Sequence, residues 1–192
     1  MRDTIMKVAR HEVGHMIAAK AMGFKTGGIT IELIDNHGAH KGGAEITLCR
    51  PLQPLRTVDD IGRFIIDRVV VLWAAALAET ARDGKADQEA ACACLKTGGG
   101  VQDHAKVTEL LNLLRNLRHP DTATDEERQA ELTSIEQEVW ARTVAVVEAD
   151  EPLIAGMAGR VAHLVKMTAT TYTLSAAEID RTPNIIKRFG AV

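Results

Sequence analysis

Residues 3–23 read DTIMKVARHEVGHMIAAKAMG, and the predicted fold is built outward from this stretch. Its apolar residues recur at the three- and four-residue spacing of one helical face, so we predict a helix from Asp3 to Met22. Within it, His11 and His15 are four residues apart, which places both imidazoles on one side of the helix. With Glu12 they form the pattern H-E-x-x-H, in which two histidines bind a metal ion and the glutamate acts as a general base.

A catalytic zinc ion needs more than this pair of histidines. It takes a third protein ligand and keeps one position open for a water molecule, whose pKa it lowers to about 7. Two carboxylates are candidates for the third ligand at this point: Asp103, which follows a glycine-rich break, and Glu79, which ends an alanine-rich segment. His104 is next to Asp103 but about 100° away around the helix, so we do not expect it at the same site.

Each of these residues also has a simpler interpretation. The histidine pair can be two surface residues of an amphipathic helix. Asp103 can be an acid that interacts favourably with the N-terminus of its helix. Glu79 can be a helix carboxylate that faces solvent. The position of the pattern on a strongly predicted helix favours metal binding over these alternatives.

Two strands are predicted after the first helix. Gly28–Ile34 and Ala44–Cys49 alternate apolar and polar residues, which is the two-residue period of a half-buried strand. The glycines among residues 41–43 indicate a turn between the strands. We therefore expect an antiparallel β-hairpin.

Helices account for most of the remaining chain. Capping-box patterns mark helix starts at Thr57, Thr124 and Ser175. Pro152 favours the first turn of a separate helix, so a break is expected at residues 150–152. The predicted helices run over residues 57–83, 87–96, 101–117, 124–149 and 152–166, with a short one after Ser175. The predicted fold class is α+β: mainly α, with a small β-hairpin, a zincin-like H-E-x-x-H helix and a helical bundle.

Composition narrows the classes of protein to which the chain can belong. The 192 residues fit one domain, with a metal-site region over residues 1–118 and C-terminal helices over residues 119–192. The net charge is −3, and no dense Lys/Arg cluster indicates a nucleic-acid partner. The longest apolar run, Val69–Ala78, is too short to span a membrane. The chain has three cysteines, and this odd number fits a reducing cytoplasm. The cysteines are interpreted as small buried residues.

Several blocks, in order, resemble the proteolytic domain of the FtsH-type AAA-protease zinc metallopeptidases. The first is the H-E-x-x-H pattern, followed by the hairpin. Next come an alanine-rich segment that ends in an acid (AAALAE, 74–79) and a glycine-rich segment that ends in aspartate (GGVQD, 99–103). The long helix with its break, residues 161–165 and the motif TLSAAEI (173–179) complete the resemblance, which covers nearly the whole chain.

The resemblance implies a set of roles. The zinc ligands would be His11, His15 and Asp103, with Glu12 as the catalytic base. Glu79 would orient a ligand imidazole through a hydrogen bond. The strand residues Ala44, Glu45, Ile46 and Thr47 would form an edge to which a polypeptide substrate adds as a further strand.

The chain differs from the family in carrying no Walker-type nucleotide-binding loop. We therefore expect a stand-alone, ATP-independent zinc endopeptidase that cuts flexible or unfolded segments, or one served by a separate unfoldase. The apolar helices also allow a homo-oligomer. Two alternatives stay open: an inactive or regulatory peptide-binding module on a peptidase fold, and a narrow-specificity regulatory protease that cleaves one partner.

Overall fold

The computed structural model of the protein describes residues 2–34, 40–47, 54–166 and 170–190. It is mostly helical with one small antiparallel sheet, so the predicted α+β class is confirmed. In chain order the elements are α1 (Arg2–Ala21), β1 (Lys25–Leu33), β2 (His40–Thr47), α2 (Val58–Thr80), α3 (Gln88–Thr97), α4 (Val101–Arg118), α5 (Asp125–Leu164), β3 (Thr170–Leu174), α6 (Ala176–Asp180) and α7 (Pro183–Phe189).

Helices α1 and α2 form the centre of the molecule. Helix α2 packs against α1, α4 and α5, and its residues 69–78 are all buried. The two helices approach closely at Gly14, where an added Cβ would lie 2.6 Å from Ala78 Cβ and 2.9 Å from the Ala74 carbonyl oxygen. The absence of a side chain at Gly14 is therefore what allows α1 to lie against the small residues of α2.

The sheet covers one side of α1. Its strand order is β2-β1-β3, and both pairings are antiparallel. The fully buried Ile29 and Ile31 of the central strand β1 belong to the main core, and β1 and β2 both pack against α1. Strand β2 is consequently an edge strand that runs beside the helix carrying the two histidines.

The predicted hairpin is present, but its boundaries differ. Strand β2 begins at His40, so the prediction that residues 41–43 form a turn is wrong; Gly42 and Gly43 pair with Ile31 and Thr30 instead. The end of the predicted second strand, Cys49, lies outside the described residues. Strand β3 was not predicted, because its pairing partner β1 lies about 140 residues earlier in the chain and no local pattern reveals it.

The predicted break near Pro152 is also wrong, since α5 continues through it. Proline removes one helical hydrogen bond and usually costs about 3 kcal/mol in a helix interior. Here the buried residues Val147, Ile154 and Val161 recur every seven positions on both sides of the proline. Because this apolar stripe packs into one continuous core, tertiary packing outweighs the local preference for a break.

The described cysteines are not the small buried residues that were predicted. Cys92 is exposed and Cys94 is half-buried, while Cys49 lies outside the described residues. Among the helices that the structure describes, none combines the length and the apolarity needed to cross a membrane.

Candidate metal centre

Helix α1 presents His11 and His15 one turn apart, with ring centroids 5.0 Å from each other. Helix α2 fixes the Nδ1 edge of each ring. His15 Nδ1 donates to the Val71 carbonyl oxygen at 2.8 Å, and His11 Nδ1 donates to Glu79 Oε2 at 3.0 Å. With both Nδ1 atoms used as donors, each Nε2 atom on the other edge of its ring can carry either a proton or a lone pair that binds a metal ion.

Asp103, in the first turn of α4, lies against those Nε2 edges. Its Oδ2 atom is 3.1 Å from His15 Nε2 and 3.5 Å from His11 Nε2. Burial raises the pKa of Asp103, but hydrogen bonds from His11 and His15 outweigh burial and hold the pKa well below its usual range. Asp103 is therefore an ionised carboxylate that shares one small space with two imidazole nitrogens.

The arrangement fits a metal ion. The three contacting atoms, one on each of His11, His15 and Asp103, all lie within 4.8 Å of one another. Tetrahedral zinc with ligand bonds of about 2.0–2.1 Å separates its ligand atoms by roughly 3.3 Å, close to the two distances from Asp103 Oδ2. Two imidazole nitrogens and one carboxylate oxygen are also a donor set that zinc accepts.

The charges around the two rings show that a cation belongs between them and Asp103. Burial lowers the pKa of His11, but hydrogen bonds with Asp103 and Glu79 raise it, and its pKa is raised to about 9. Because the lone pairs of Nε2 and the carboxylate of Asp103 face each other, a positive charge must lie between them. Either a proton on the imidazole or a metal cation supplies that charge, and the two compete for the same atoms.

Glu12 projects from α1 into the same site and is 8% exposed. Burial raises the pKa of Glu12, while the charges of the two histidines and a hydrogen bond from the backbone N–H of Ala44 lower it, and the net shift is upward. The side chain lies against β2 at Gly42, where an added Cβ would lie 3.0 Å from Glu12 Cδ and closer still to Oε1. Gly42 thus leaves the space that the Glu12 carboxylate occupies.

These groups line a cleft of about 310 Å³ between α1, α2, α4 and β2. Apart from the two histidines, Glu12 and Asp103, its wall includes two cationic side chains, Arg68 and Lys106. The Lys106 Nζ atom is 3.4 Å from Asp103 Oδ1. The remaining lining residues are Gly42, Gly43, Ala44, Ile46, Leu72, Gly99 and Gln102.

The structure brings most of the predicted site residues together. Of the two candidate carboxylates, Asp103 faces the Nε2 edges and Glu79 contacts the Nδ1 edge of His11. Of the predicted docking strand, Ala44 and Ile46 line the cleft, whereas Glu45 and Thr47 do not.

Other groups at the site were not predicted. The Val71 carbonyl has no sequence signal because every residue carries one. Cys94 donates from Sγ to Glu79 Oε2 at 3.5 Å, a contact that joins α3 to α2. Arg68 does have a signal, since it is one of two charged residues within the apolar segment 65–72. His104, as expected, faces away, in a separate cavity beside Trp73 and Trp140.

No protein-family model matches the chain, and neither a curated protein nor a solved structure matches it. The interpretation of the site therefore depends on its geometry and on the chemistry of its residues.

Proposed function

We propose that the protein is a zincin-like, zinc-dependent endopeptidase in which His11, His15 and Asp103 bind the metal and Glu12 is the general base. The observation that carries the proposal is the convergence of three ligand atoms beside a buried glutamate in one open cleft. The resemblance of the sequence to FtsH-type peptidases supports the same assignment, in the form of a stand-alone peptidase without the ATPase.

The zinc ligands and Glu12 would have separate roles in peptide hydrolysis. Zinc, when bound, lowers the pKa of a water molecule and polarises the carbonyl of the peptide bond. The Glu12 carboxylate accepts a proton from the attacking water and donates it to the departing amide nitrogen. The raised pKa of Glu12 favours this role, because a base whose pKa lies closer to the working pH both accepts and returns a proton efficiently.

Strand β2 is the proposed docking edge for the substrate. An extended peptide can pair with the free side of an edge strand through backbone hydrogen bonds. The backbone N–H of Ala44 interacts with the Glu12 carboxylate and lowers its pKa, which puts this strand beside the proposed general base. This mode needs an extended segment, which is why flexible or unfolded polypeptide is the proposed substrate class and a separate unfoldase a suitable partner.

Metal content and hydrolysis of an unfolded protein test the proposal together. The purified protein should contain about one zinc ion per chain and cleave casein, and a chelator should abolish cleavage until zinc is restored. The Glu12→Gln variant should keep its zinc and lose at least about 100-fold of its activity, as expected for the loss of general-base catalysis. Full activity in that variant would refute the mechanism.

A non-catalytic module would require a different number of protein ligands at the same site. A structural zinc site is closed by four protein ligands, whereas a catalytic one has three and a water. Within the described part of the chain, three residues are grouped around the candidate metal position. This open set favours the catalytic interpretation.

A further inference from the structure

Arg68 is a cation in the candidate metal cleft that has no ion-pair partner among the residues that the structure describes. Only three described arginines are at least partly buried: Arg10, Arg68 and Arg115. Arg10 pairs with Glu151 at 2.9 Å, and Arg115 pairs with Glu131 at 2.9 Å. Arg68 has no ion pair or hydrogen bond with any residue that the structure describes, although a partly desolvated charge normally acquires one.

The position of Arg68 on α2 places it at the His15 end of the site. It lies three residues before Val71, whose carbonyl holds His15, and eleven residues before Glu79, which holds His11. Eleven residues are just over three full helical turns, so Arg68 and Glu79 share a face of α2 and are about 16 Å apart along its axis. The guanidinium is therefore beside the metal ligands and not among them.

The other charges of the cleft do not neutralise Arg68. Burial lowers the pKa of Arg68 and the charge of Asp103 raises it, yet a guanidinium stays protonated at any physiological pH. Asp103 is already shared between the histidines and Lys106. One positive charge in the cleft is thus available to a ligand.

We propose that Arg68 determines substrate specificity by binding a carboxylate of the peptide close to the bond that is cut. Guanidinium and carboxylate form two parallel hydrogen bonds, and partial burial strengthens them. The carboxylate belongs to an Asp or Glu side chain or to the C-terminus of the peptide. This inference depends on the proposed peptidase function for its kinetic test and on peptide binding alone for its second test.

The kinetic test compares internally quenched peptides of one sequence that carry either Glu or Gln at each position near the cleaved bond. These peptides are amidated at the C-terminus. A second set has the same sequence without the Glu and ends in a free C-terminal carboxylate. The wild-type protein should favour one carboxylate-bearing peptide over its amide by roughly 10- to 100-fold in kcat/KM. A preference within the first set would identify a side-chain carboxylate as the group that Arg68 binds. A preference for the second set would identify the C-terminal carboxylate.

Two variants on α2 provide the comparison. Arg68→Gln should reduce the preference ratio to about 1–2, because both peptides then meet a neutral amide. Arg68→Lys should recover part of the ratio, since it keeps the charge and loses the paired geometry. Arg63→Gln is the matched control: it removes an exposed arginine of the same helix outside the cleft and should keep the wild-type ratio.

The second test measures binding without turnover. The Glu12→Gln protein loaded with zinc should bind the preferred peptide roughly 10-fold more tightly than its amide, and Glu12→Gln/Arg68→Gln should not. Equal cleavage and equal binding of all peptides by the wild-type site would overturn the role of Arg68 and leave the peptidase function standing. If Arg68→Gln lowered kcat/KM equally for both peptides, the proposed role of Arg68 would also be overturned. The guanidinium would then affect the reaction and not the specificity.

Discussion

Replacing Gly14 by alanine tests the close contact of α1 and α2. In a helix interior this change usually stabilises a protein by about 0.5–1 kcal/mol, because glycine loses more backbone entropy on folding. At Gly14 the new Cβ would lie 2.6 Å from Ala78 Cβ, 2.9 Å from the Ala74 carbonyl oxygen and 3.1 Å from Ala75 Cα. Two of these three atoms are main chain, so no flexible side chain can move aside.

The magnitude follows from two opposing effects. Overpacking a rigid interior costs about 1–3 kcal/mol, and the short main-chain contacts at Gly14 favour the upper part of this range, about 2–3 kcal/mol. The gain in helix propensity returns about 1 kcal/mol. The expected net result for Gly14→Ala is a loss of about 1–2 kcal/mol in the free energy of unfolding, or a decrease of about 3–6 °C in Tm for a chain of this length. Both quantities can be measured by urea and thermal unfolding followed by circular dichroism.

A second glycine provides the control. An added Cβ at Gly156, in the middle of α5, meets no atom within 4 Å. Gly156→Ala should therefore stabilise the protein by about 0.5–1 kcal/mol, with the opposite sign to Gly14→Ala. Ala78→Gly alone costs about 1 kcal/mol in helix propensity, but combined with Gly14→Ala it removes the shortest contact. The double variant should therefore be less destabilised than the sum of the two single variants. A stabilising Gly14→Ala would refute the close approach of the helices.

The other predictions concern the candidate site. Gly42→Ala should displace the Glu12 carboxylate and lower peptidase activity at least about tenfold with zinc content unchanged, whereas Gly43→Ala, with no atom within 4 Å of its Cβ, should keep its activity. Glu79→Gln should weaken zinc binding by about 10- to 100-fold in a competition assay with a chelator, because it removes the charged acceptor of His11. Zinc affinity should rise about tenfold per unit from about pH 6 to 8, since the pKa of His11 is raised to about 9 and zinc must displace its proton; an affinity independent of pH would contradict this.

Local signals allowed much of the helical framework to be predicted. The capping boxes at Thr57, Thr124 and Ser175 are all present, and in each the backbone N–H of the capping residue donates to the carboxylate three positions on. Where local and tertiary preferences disagree, as at Pro152, the prediction fails because burial of one apolar stripe is worth more than one lost hydrogen bond. The turn predicted at Gly42 is wrong for a related reason, because glycine is common both in turns and where another group packs closely against the backbone.

The candidate site was predictable to the extent that it is local. The spacing of His11 and His15 places both rings on one face of α1, and the structure shows them there. Reasoning from the residues alone left the choice between Asp103 and Glu79 open, and only the family resemblance implied Asp103. Each acid is more than 60 residues from the histidines, and its position depends on how α4 and α2 pack against α1. The two acids contact opposite edges of the His11 ring, and no sequence pattern encodes which edge faces which helix.

The orientation of these rings links the helical core to the chemistry proposed for the cleft. Because α2 accepts from both Nδ1 atoms, the Nε2 edges must face away from α2 and toward α4, where Asp103 lies. Those two hydrogen bonds form only if α1 and α2 are close, and the contact at Gly14, one residue before His15, sets that separation. A helix displaced by an added methyl group should therefore lose zinc affinity as well as stability. A Gly14→Ala protein that is destabilised yet binds zinc with wild-type affinity would show that ring orientation does not depend on this packing.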